Sequence, residues 1–302
     1  MTSISISDIL TIIFVLVDDW YQVQGAQLLK GKPGAKPEFS DSEVITLMLA
    51  QDFIPYPSET QYIGFIRANY RSLFPKLLDQ SQFNRRARSL RLLVEQLRRY
   101  WIIQKGWHQQ AQFLLDTKPV PVMGYKRSKR HSDFAGSASY GTCASRHLNY
   151  FGYKLVTVST LNGIPVVYEL VPANLDERLA AEAVIDYLCF CDIFADKGFL
   201  GLEWQTQIFD QTNNLIWTPR RNNQHYQNSP GLDRWLSSVR ERIEGVFHEI
   251  QDTGRNLERL LAKTVLGFCT RVIMKMTSHI LRRLLYFDFG VNVQTFQLIE
   301  PA

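Results

Sequence analysis

Short apolar segments of strand length alternate with helical patterns in the middle of this 302-residue chain. Two of the segments are separated by Asn162-Gly163, a dipeptide that favours the tight turn of a β-hairpin. Helical patterns follow at Glu177–Leu188 and Leu202–Gln211. This order predicts an α/β fold (α+β mixed sheet) with helices packed on the sheet. The strand candidates are Gln112–Asp116, Phe151–Thr160, Pro165–Val171, Cys189–Asp196 and Leu215–Pro219.

The region before residue 109 is predicted to be all-helical. Ser40 and Glu43 have the spacing of a helix capping box, and Ser81 can cap a helix that runs to Gln104. The arginines of that helix are consistent with a helix-turn-helix-like DNA-binding unit, and a plain helical bundle is equally compatible. We therefore expect a helical region at 1–108, which is a candidate for DNA binding, a mixed-sheet domain at 109–290 and a tail at 291–302.

Three acidic residues follow apolar patterns in a way that suggests one site. Asp116 and Asp196 each end an apolar run, and Glu244 lies in a helical stretch. Taken singly, each acid could simply cap a turn or a helix. Taken together, three carboxylates at one point repel each other unless a divalent cation neutralises them, and carboxylate oxygens suit Mg²⁺. A pair of such ions can clamp a phosphodiester, so phosphodiester cutting or transfer is our first hypothesis.

Positive charge is concentrated in one part of the chain. The formal net charge is only +5, but the segment from Arg67 to Arg130 holds 15 Lys and Arg against three acidic residues. Such a block favours contact with a polyanion, and nucleic acid fits better than a membrane. A solvated helix face is the alternative. The N-terminus lacks the positive segment of a signal peptide, which favours a cytoplasmic protein.

Several basic residues are candidates for holding DNA phosphates. In an open sheet, ligands gather outside the carboxyl ends of the strands, where the loops after the first, fourth and fifth strand candidates carry cations. Further candidates lie on the arginine-rich helix and before Glu244. The set is Arg85, Arg86, Arg88, Lys126, Arg127, Lys129, Arg130, Lys197, Arg220, Arg221 and Arg240.

A run of motifs resembles insertion-sequence transposases of the DDE type. In order, the matching blocks are Asp116-Thr-Lys-Pro-Val-Pro-Val, Phe134-Ala-Gly-Ser-Ala-Ser, Tyr150-Phe-Gly-Tyr-Lys-Leu, Gly163-Ile-Pro-Val, Ala195-Asp-Lys-Gly-Phe and Val239-Arg-Glu-Arg-Ile-Glu-Gly-Val-Phe. Each block alone is a moderately specific sign of the family, whereas all of them in this order are a strong sign.

The resemblance implies that 109–290 is a ribonuclease-H-like catalytic domain in which Asp116, Asp196 and Glu244 are catalytic and hold the metal. It implies Mg²⁺ as cofactor, with Mn²⁺ able to substitute, and double-stranded DNA as partner, both the element ends and the target. A homodimer on DNA and a place in the bacterial cytosol, associated with the nucleoid, are implied in the same way. The reaction would cut DNA at the element ends and join them to target DNA.

Two glutamates of the same helical stretch, Glu244 and Glu249, are candidates for the third acid. The apolar spacing along the helix leaves Glu244 and Glu249 on opposite sides of the buried stripe, so periodicity does not decide. The resemblance favours Glu244, because Arg240 stands four residues before it. At other positions the chain departs from related groups: Ser237 replaces a tyrosine and Gln251 a lysine.

Two other functions remain open at this stage. One is a nuclease of the same fold without strand transfer. The other is a catalytically inactive, domesticated sequence-specific DNA-binding protein.

Overall fold

The computed structural model describes residues 3–29, 37–54, 56, 58–126, 130–143, 147–220, 227–252 and 256–299. In chain order the helices are α1 (Ile6–Trp20), a π-helical turn (Tyr21–Gly25), α2 (Ala26–Leu28), α3 (Asp41–Ala50), α4 (Glu59–Asn69), α5 (Gln80–Gln104), α6 (Glu177–Ile185), α7 (Leu202–Thr212), α8 (Pro230–Asp252) and α9 (Val265–Phe289). The strands are β1 (Gln112–Met123), β2 (Ser139–Cys143), β3 (Leu148–Thr160), β4 (Pro165–Pro172), β5 (Asp192–Ala195), β6 (Leu215–Trp217), β7 (Val291–Asn292) and β8 (Gln297–Leu298).

The chain forms two compact units. Unit 1 comprises Met1–Trp101, Ile250–Asn256 and Val265–Ala302, and unit 2 comprises Ile102–Glu249 and Leu257–Thr264. We expected a catalytic domain at 109–290, whereas the structure groups α9 with the N-terminal helices. The sequence pattern could not show this, because the contacts that place α9 join residues more than 200 positions apart along the chain.

Helix starts in unit 1 follow from local capping. The capping box at Ser40 is confirmed, since its side chain accepts from the Glu43 amide and the Glu43 carboxylate accepts from the Ser40 amide. The prediction that Ser81 caps α5 was wrong, because the helix already begins at Gln80 and Asp79 is its cap. Asp79 Oδ1 accepts from the Gln82 amide at 2.7 Å, and the Ser81 hydroxyl donates to the same carboxylate at 2.8 Å. A carboxylate at this position also complements the helix dipole.

A buried ion pair holds α9 to the segment after α3. Lys275 Nζ lies 2.8 Å from Asp52 Oδ1, and their side chains are only 2% and 8% exposed. Nearby, the Ser278 hydroxyl donates to the Leu49 carbonyl at 3.0 Å. Charges buried this deeply need their partner, because an unpaired buried charge is costly.

The described strands of unit 2 include six that form one sheet, in the order β2-β3-β1-β5-β6 with β4 also on β3. β3 pairs antiparallel with β1, β2 and β4, while β5 pairs parallel with β1 and β6. The hairpin at Asn162-Gly163 is confirmed, with Gly163 at a φ of 79°. The expected α/β mixed sheet preceded by helices is therefore confirmed.

Two strands differ from the sequence-based expectation. β2 lies between the first two strand candidates, where the sequence pattern indicated no strand, and it is short and largely polar. β1 continues beyond Asp116 through Pro119 and Pro121 to Met123. Both prolines fall where β5 no longer pairs with β1, so the strand tolerates their missing amide donors there. Gly152 lies opposite Pro121, and a Cβ at that position would overlap the Val120 carbonyl oxygen.

Within the described residues, every helix is too short or too polar to cross a bilayer.

The ion pair between Lys275 and Asp52 gives a test of the packing of unit 1. Lys275→Met should lower the free energy of unfolding by about 3–5 kcal/mol, because it leaves Asp52 charged and buried. Lys76→Met is the matched control, since Lys76 pairs with Glu38 at 3.1 Å but both side chains are largely exposed, and such pairs contribute little. Urea unfolding followed by circular dichroism measures both; equal losses would contradict a structural role for the buried pair.

Candidate active site

Asp116 and Asp196 lie side by side because of the pairing of β1 with β5. The two strands run parallel, and their last register pair joins Leu115 to Ala195. Asp116 and Asp196 are the next residues on each chain, so both occur at the same edge of the sheet. Neighbouring strands are about 4.8 Å apart. The fold therefore brings together two acids that are 80 positions apart along the sequence.

Each of these acids is oriented by the amide that follows it. Asp116 Oδ1 accepts from the Thr117 amide at 2.7 Å, and Asp196 Oδ1 accepts from the Lys197 amide at 2.6 Å. In Asp196 this hydrogen bond caps a 3-10 turn at Lys197–Phe199. Both aspartates are half-buried. Each carboxylate is therefore held by a backbone hydrogen bond and still has access to solvent.

Glu244 comes from α8. The predicted apolar stripe is confirmed, since Leu236, Val239, Ile243 and Val246 are each 3% exposed. Glu244 lies beside this stripe and is exposed. One turn further, Phe247 is buried, and the Lys118 ammonium lies 5.7 Å from the centre of its ring. This cation–π contact joins β1 to the helix turn that carries Glu244.

One cleft of about 640 Å³ is lined by Asp116, Asp196 and Glu244 together. Glu249 does not line it, so the geometry favours the same glutamate as the sequence motif. A fourth carboxylate, Glu177 at the start of α6, lines the cleft as well. Our sequence analysis missed Glu177, because nothing in its local pattern shows which residues it meets in the fold.

Lysines surround these acids. Lys118 and Lys154 both line the cleft, and Lys154 Nζ donates to the Leu175 carbonyl at 2.7 Å. Sequence analysis missed both lysines, although Lys118 is two residues after Asp116 and a strand places such residues on one face. Positive charge close to carboxylates and to an incoming phosphate lowers the repulsion between them.

A second, smaller cleft of about 480 Å³ is lined by two cations, Lys197 and Arg220, and by three carboxylates, Asp233, Glu241 and Glu244. Two of the predicted basic residues are thus placed next to the third acid. Since Glu244 lines both clefts, negative and positive side chains meet along one surface of unit 2. That arrangement suits a polyanion whose phosphates are held by cations and whose reactive bond lies over the acids.

The other basic candidates are more scattered. Lys126 and Arg130 are exposed in the loop after β1, and Arg85 is exposed on α5. Arg88 is half-buried, and its carbonyl accepts from Arg91 at 3.0 Å. Arg86 forms an ion pair with Asp41 and donates to the Phe39 carbonyl. Arg127, Lys129 and Arg221 lie outside the described residues, as does the side chain of Arg240.

Tyr150 is a buried polar residue on the cleft wall. It is 2% exposed, and its hydroxyl has no hydrogen-bond partner among the described residues. Burial raises the pKa of Tyr150 to about 12, with the charges of Cys143 and Glu177 acting in the same direction. The phenol therefore keeps its proton at any working pH.

The donor atoms of the cleft fit a hard divalent cation. Carboxylate oxygens are the ligands that Mg²⁺ and Mn²⁺ prefer. Within the described residues, no group of three or more His, Cys, Asp or Glu side chains is placed to hold a metal ion. Mg²⁺ does not require such a group, because it keeps several waters and commonly binds through one or two carboxylates together with substrate phosphates.

Comparison with known families shows which family the chain belongs to. The family model of the transposase DDE domain matches residues 105–261, which is just over half of the 302 residues. The chain belongs to the DDE transposase family. No curated protein and no solved structure matches it.

Membership in the family explains the layout of unit 2. The matched segment contains the whole sheet from β1 to β6 and all three predicted acids. The sheet order agrees with the ribonuclease-H-like core that the motifs implied. Members of this family act on DNA and generally use divalent metal.

Replacing each glutamate of α8 tests the choice between them. We expect Glu244→Gln to reduce DNA cleavage by about 100-fold or more, by analogy with the removal of other groups that stabilise a charged transition state. Glu249→Gln is the matched control and should stay within a few-fold of the parent enzyme, since Glu249 does not line the cleft. Single-turnover cleavage of a labelled element-end duplex measures both, and a reversed order would place the third acid at Glu249.

Proposed function

We propose that this transposase cuts DNA at the ends of its insertion sequence and joins the freed ends to target DNA. Asp116, Asp196 and Glu244 are the catalytic carboxylates, and they hold Mg²⁺, for which Mn²⁺ can substitute. The observation that carries the proposal is the common cleft of these three acids, two of which are fixed by the register of β1 and β5.

The roles of the side chains follow from their chemistry. A divalent cation, when bound by these carboxylates, stabilises the negative charge that develops on the phosphate oxygens. Lys118 and Lys154 line the same cleft and hold the DNA backbone by charge. Lys197 and Arg220 are the cations of the neighbouring cleft, which they line together with Asp233, Glu241 and Glu244, and they are proposed to bind phosphates there. Preorganised charge of this kind contributes most of the catalysis in phosphoryl transfer.

The proposed reaction has two steps that balance without a further reactant. Water attacks the phosphodiester, the bond from phosphorus to the 3′ oxygen breaks, and a 3′-hydroxyl and a 5′-phosphate are formed. The 3′-hydroxyl then attacks a target phosphodiester, forming a new bond and releasing a target 3′-hydroxyl. Both steps are in-line displacements at phosphorus, so one cleft can serve both.

Unit 1 is proposed to bind the DNA backbone through α5 and its surroundings. Arg85 and Lys76 are exposed and line a groove of about 330 Å³. Arg86 lines the same groove, but it is held by Asp41, so we assign to it the attachment of α5 to α3. Arg88 completes the proposed contacts of unit 1, and Lys126, Arg130 and Arg240 are proposed contacts of unit 2. Because two element ends must be joined together, we propose a homodimer on DNA.

An assay with purified protein, Mg²⁺ and element-end DNA separates the possible functions. Cleavage followed by joining supports the transposase. Cleavage without joining indicates a nuclease of the same fold. DNA binding without cleavage, unchanged by Asp116→Asn, indicates an inactive DNA-binding protein and contradicts the proposal.

Asp196→Asn should abolish cleavage and leave DNA affinity nearly unchanged, because the amide keeps the shape of the side chain but loses its charge. Asp192→Asn, at the start of the strand that precedes Asp196, is the matched control. Asp192 accepts from the Trp217 indole at 2.8 Å, and an asparagine oxygen can still accept. Gel-shift and cleavage assays on both variants test this, and normal cutting by Asp196→Asn would refute its assignment.

Arg85→Ala should weaken DNA binding and reduce the slope of log affinity against log salt by about 0.9, the value for one lost phosphate contact. Arg99→Ala is the control on the same helix, since its guanidinium binds Glu95 at 3.0 Å and should release fewer ions. Fluorescence anisotropy across a salt series measures both slopes. An unchanged slope for Arg85→Ala would move the DNA contact surface away from this part of α5.

A further inference from the structure

Glu177 stands between the two segments that carry the aspartates. It is the first residue of α6, and its carboxylate lines the cleft with the three catalytic acids. On one side, the Thr117 hydroxyl donates to Glu177 Oε1 at 3.3 Å. Thr117 directly follows Asp116 and supplies the amide that orients it. Glu177 therefore contacts the residue whose amide orients the first aspartate.

On the other side, Glu177 packs against Gly198. A Cβ built on Gly198 would overlap Glu177 Oε2, so the absence of a side chain there makes room for the carboxylate. Gly198 lies in the 3-10 turn that Asp196 caps. The same carboxylate therefore touches the strand of the first aspartate and the turn of the second.

The position of Glu177 is itself well supported. Asp176 caps α6 by accepting from the Arg178 amide at 3.0 Å, and its carboxylate also accepts from Arg178 Nε at 3.1 Å. The Leu175 carbonyl accepts from Lys154 Nζ at 2.7 Å. Hydrogen bonds thus hold the chain on both sides of Glu177, and a rigid base is what a positioning residue needs.

We infer that Glu177 is a positioning residue, which holds the Asp116 strand and the Asp196 turn at the spacing that metal binding and DNA cleavage require. It acts through the Thr117 hydroxyl and through its packing on Gly198, and not as a further ligand. This inference rests on the proposed function of the cleft. Outer-shell groups of this kind typically change metal affinity or activity by about 10–100-fold.

Three variants separate positioning from other roles. Glu177→Ala should lower the single-turnover cleavage rate by about 10–100-fold while DNA affinity stays within about twofold, because no DNA contact is assigned to it. Glu177→Gln should remain close to the parent enzyme, since an amide oxygen still accepts from Thr117. Gly198→Ala should resemble Glu177→Ala, because the new methyl group displaces the carboxylate.

A double-variant cycle gives the sharpest result. In the Glu177→Ala background, Gly198→Ala should cause little further loss, because the carboxylate that it would displace is already absent. If the two losses multiply instead, Gly198 acts independently of Glu177 and the inference is wrong. If Glu177→Gln is as inactive as Glu177→Ala, the charge itself is needed and positioning is overturned.

Binding of Mn²⁺, followed by electron paramagnetic resonance of the free ion, provides a readout that does not depend on cleavage. The affinity should fall about tenfold in Glu177→Ala and Gly198→Ala and stay near the parent value in Glu177→Gln. Parent-level affinity and cleavage in Glu177→Ala would overturn the inference alone. A parent enzyme that binds Mn²⁺ but does not cut element ends would instead contradict the proposed function.

Discussion

The active cleft depends on the register between β1 and β5. Leu115 opposite Ala195 is what makes Asp116 and Asp196 neighbours. Because side chains alternate between the faces of a strand, a slip of one residue in either strand would move one aspartate to the other face of the sheet. The register is protected by the apolar residues of both strands, of which Phe113, Leu115 and Ile193 are almost completely buried. The same pairing therefore specifies both the packing of the core and the placement of the two aspartates.

Electrostatic repulsion between the acids explains why lysines and backbone amides lie close to them. Carboxylates in one cleft repel each other, and the structure counters this with lysines on the same wall and with amides that point at Asp116 and Asp196. The remaining negative charge attracts divalent cations, and the outer lysines and arginines attract phosphates. A binding site for a polyanion over a site for cations is the combination that phosphodiester chemistry requires.

Much of this arrangement could be predicted from the sequence, because it is encoded locally. The hairpin at Asn162-Gly163, the capping box at Ser40 and the apolar stripe of α8 depend on residues close together in the chain. The succession of strands and helices along the chain is likewise encoded locally. The features that were missed depend on distant partners. β1 runs on through Pro119, beyond the last residue that pairs with β5. α9 belongs with unit 1, where Lys275 pairs with Asp52. Glu177 meets Thr117 and Gly198, which lie far from it in the sequence. β2 escaped notice because a short polar strand on the sheet edge resembles a loop.

We propose that Asp116, Asp196 and Glu244 serve one metal-dependent site. Anomalous diffraction from crystals of the protein with element-end DNA and Mn²⁺ would locate the ions. We expect an anomalous peak within coordination distance of both Asp116 and Asp196, with Glu244 facing it across the cleft and a DNA phosphate beside it. Ions bound only elsewhere, or a DNA phosphate placed far from these three side chains, would contradict it.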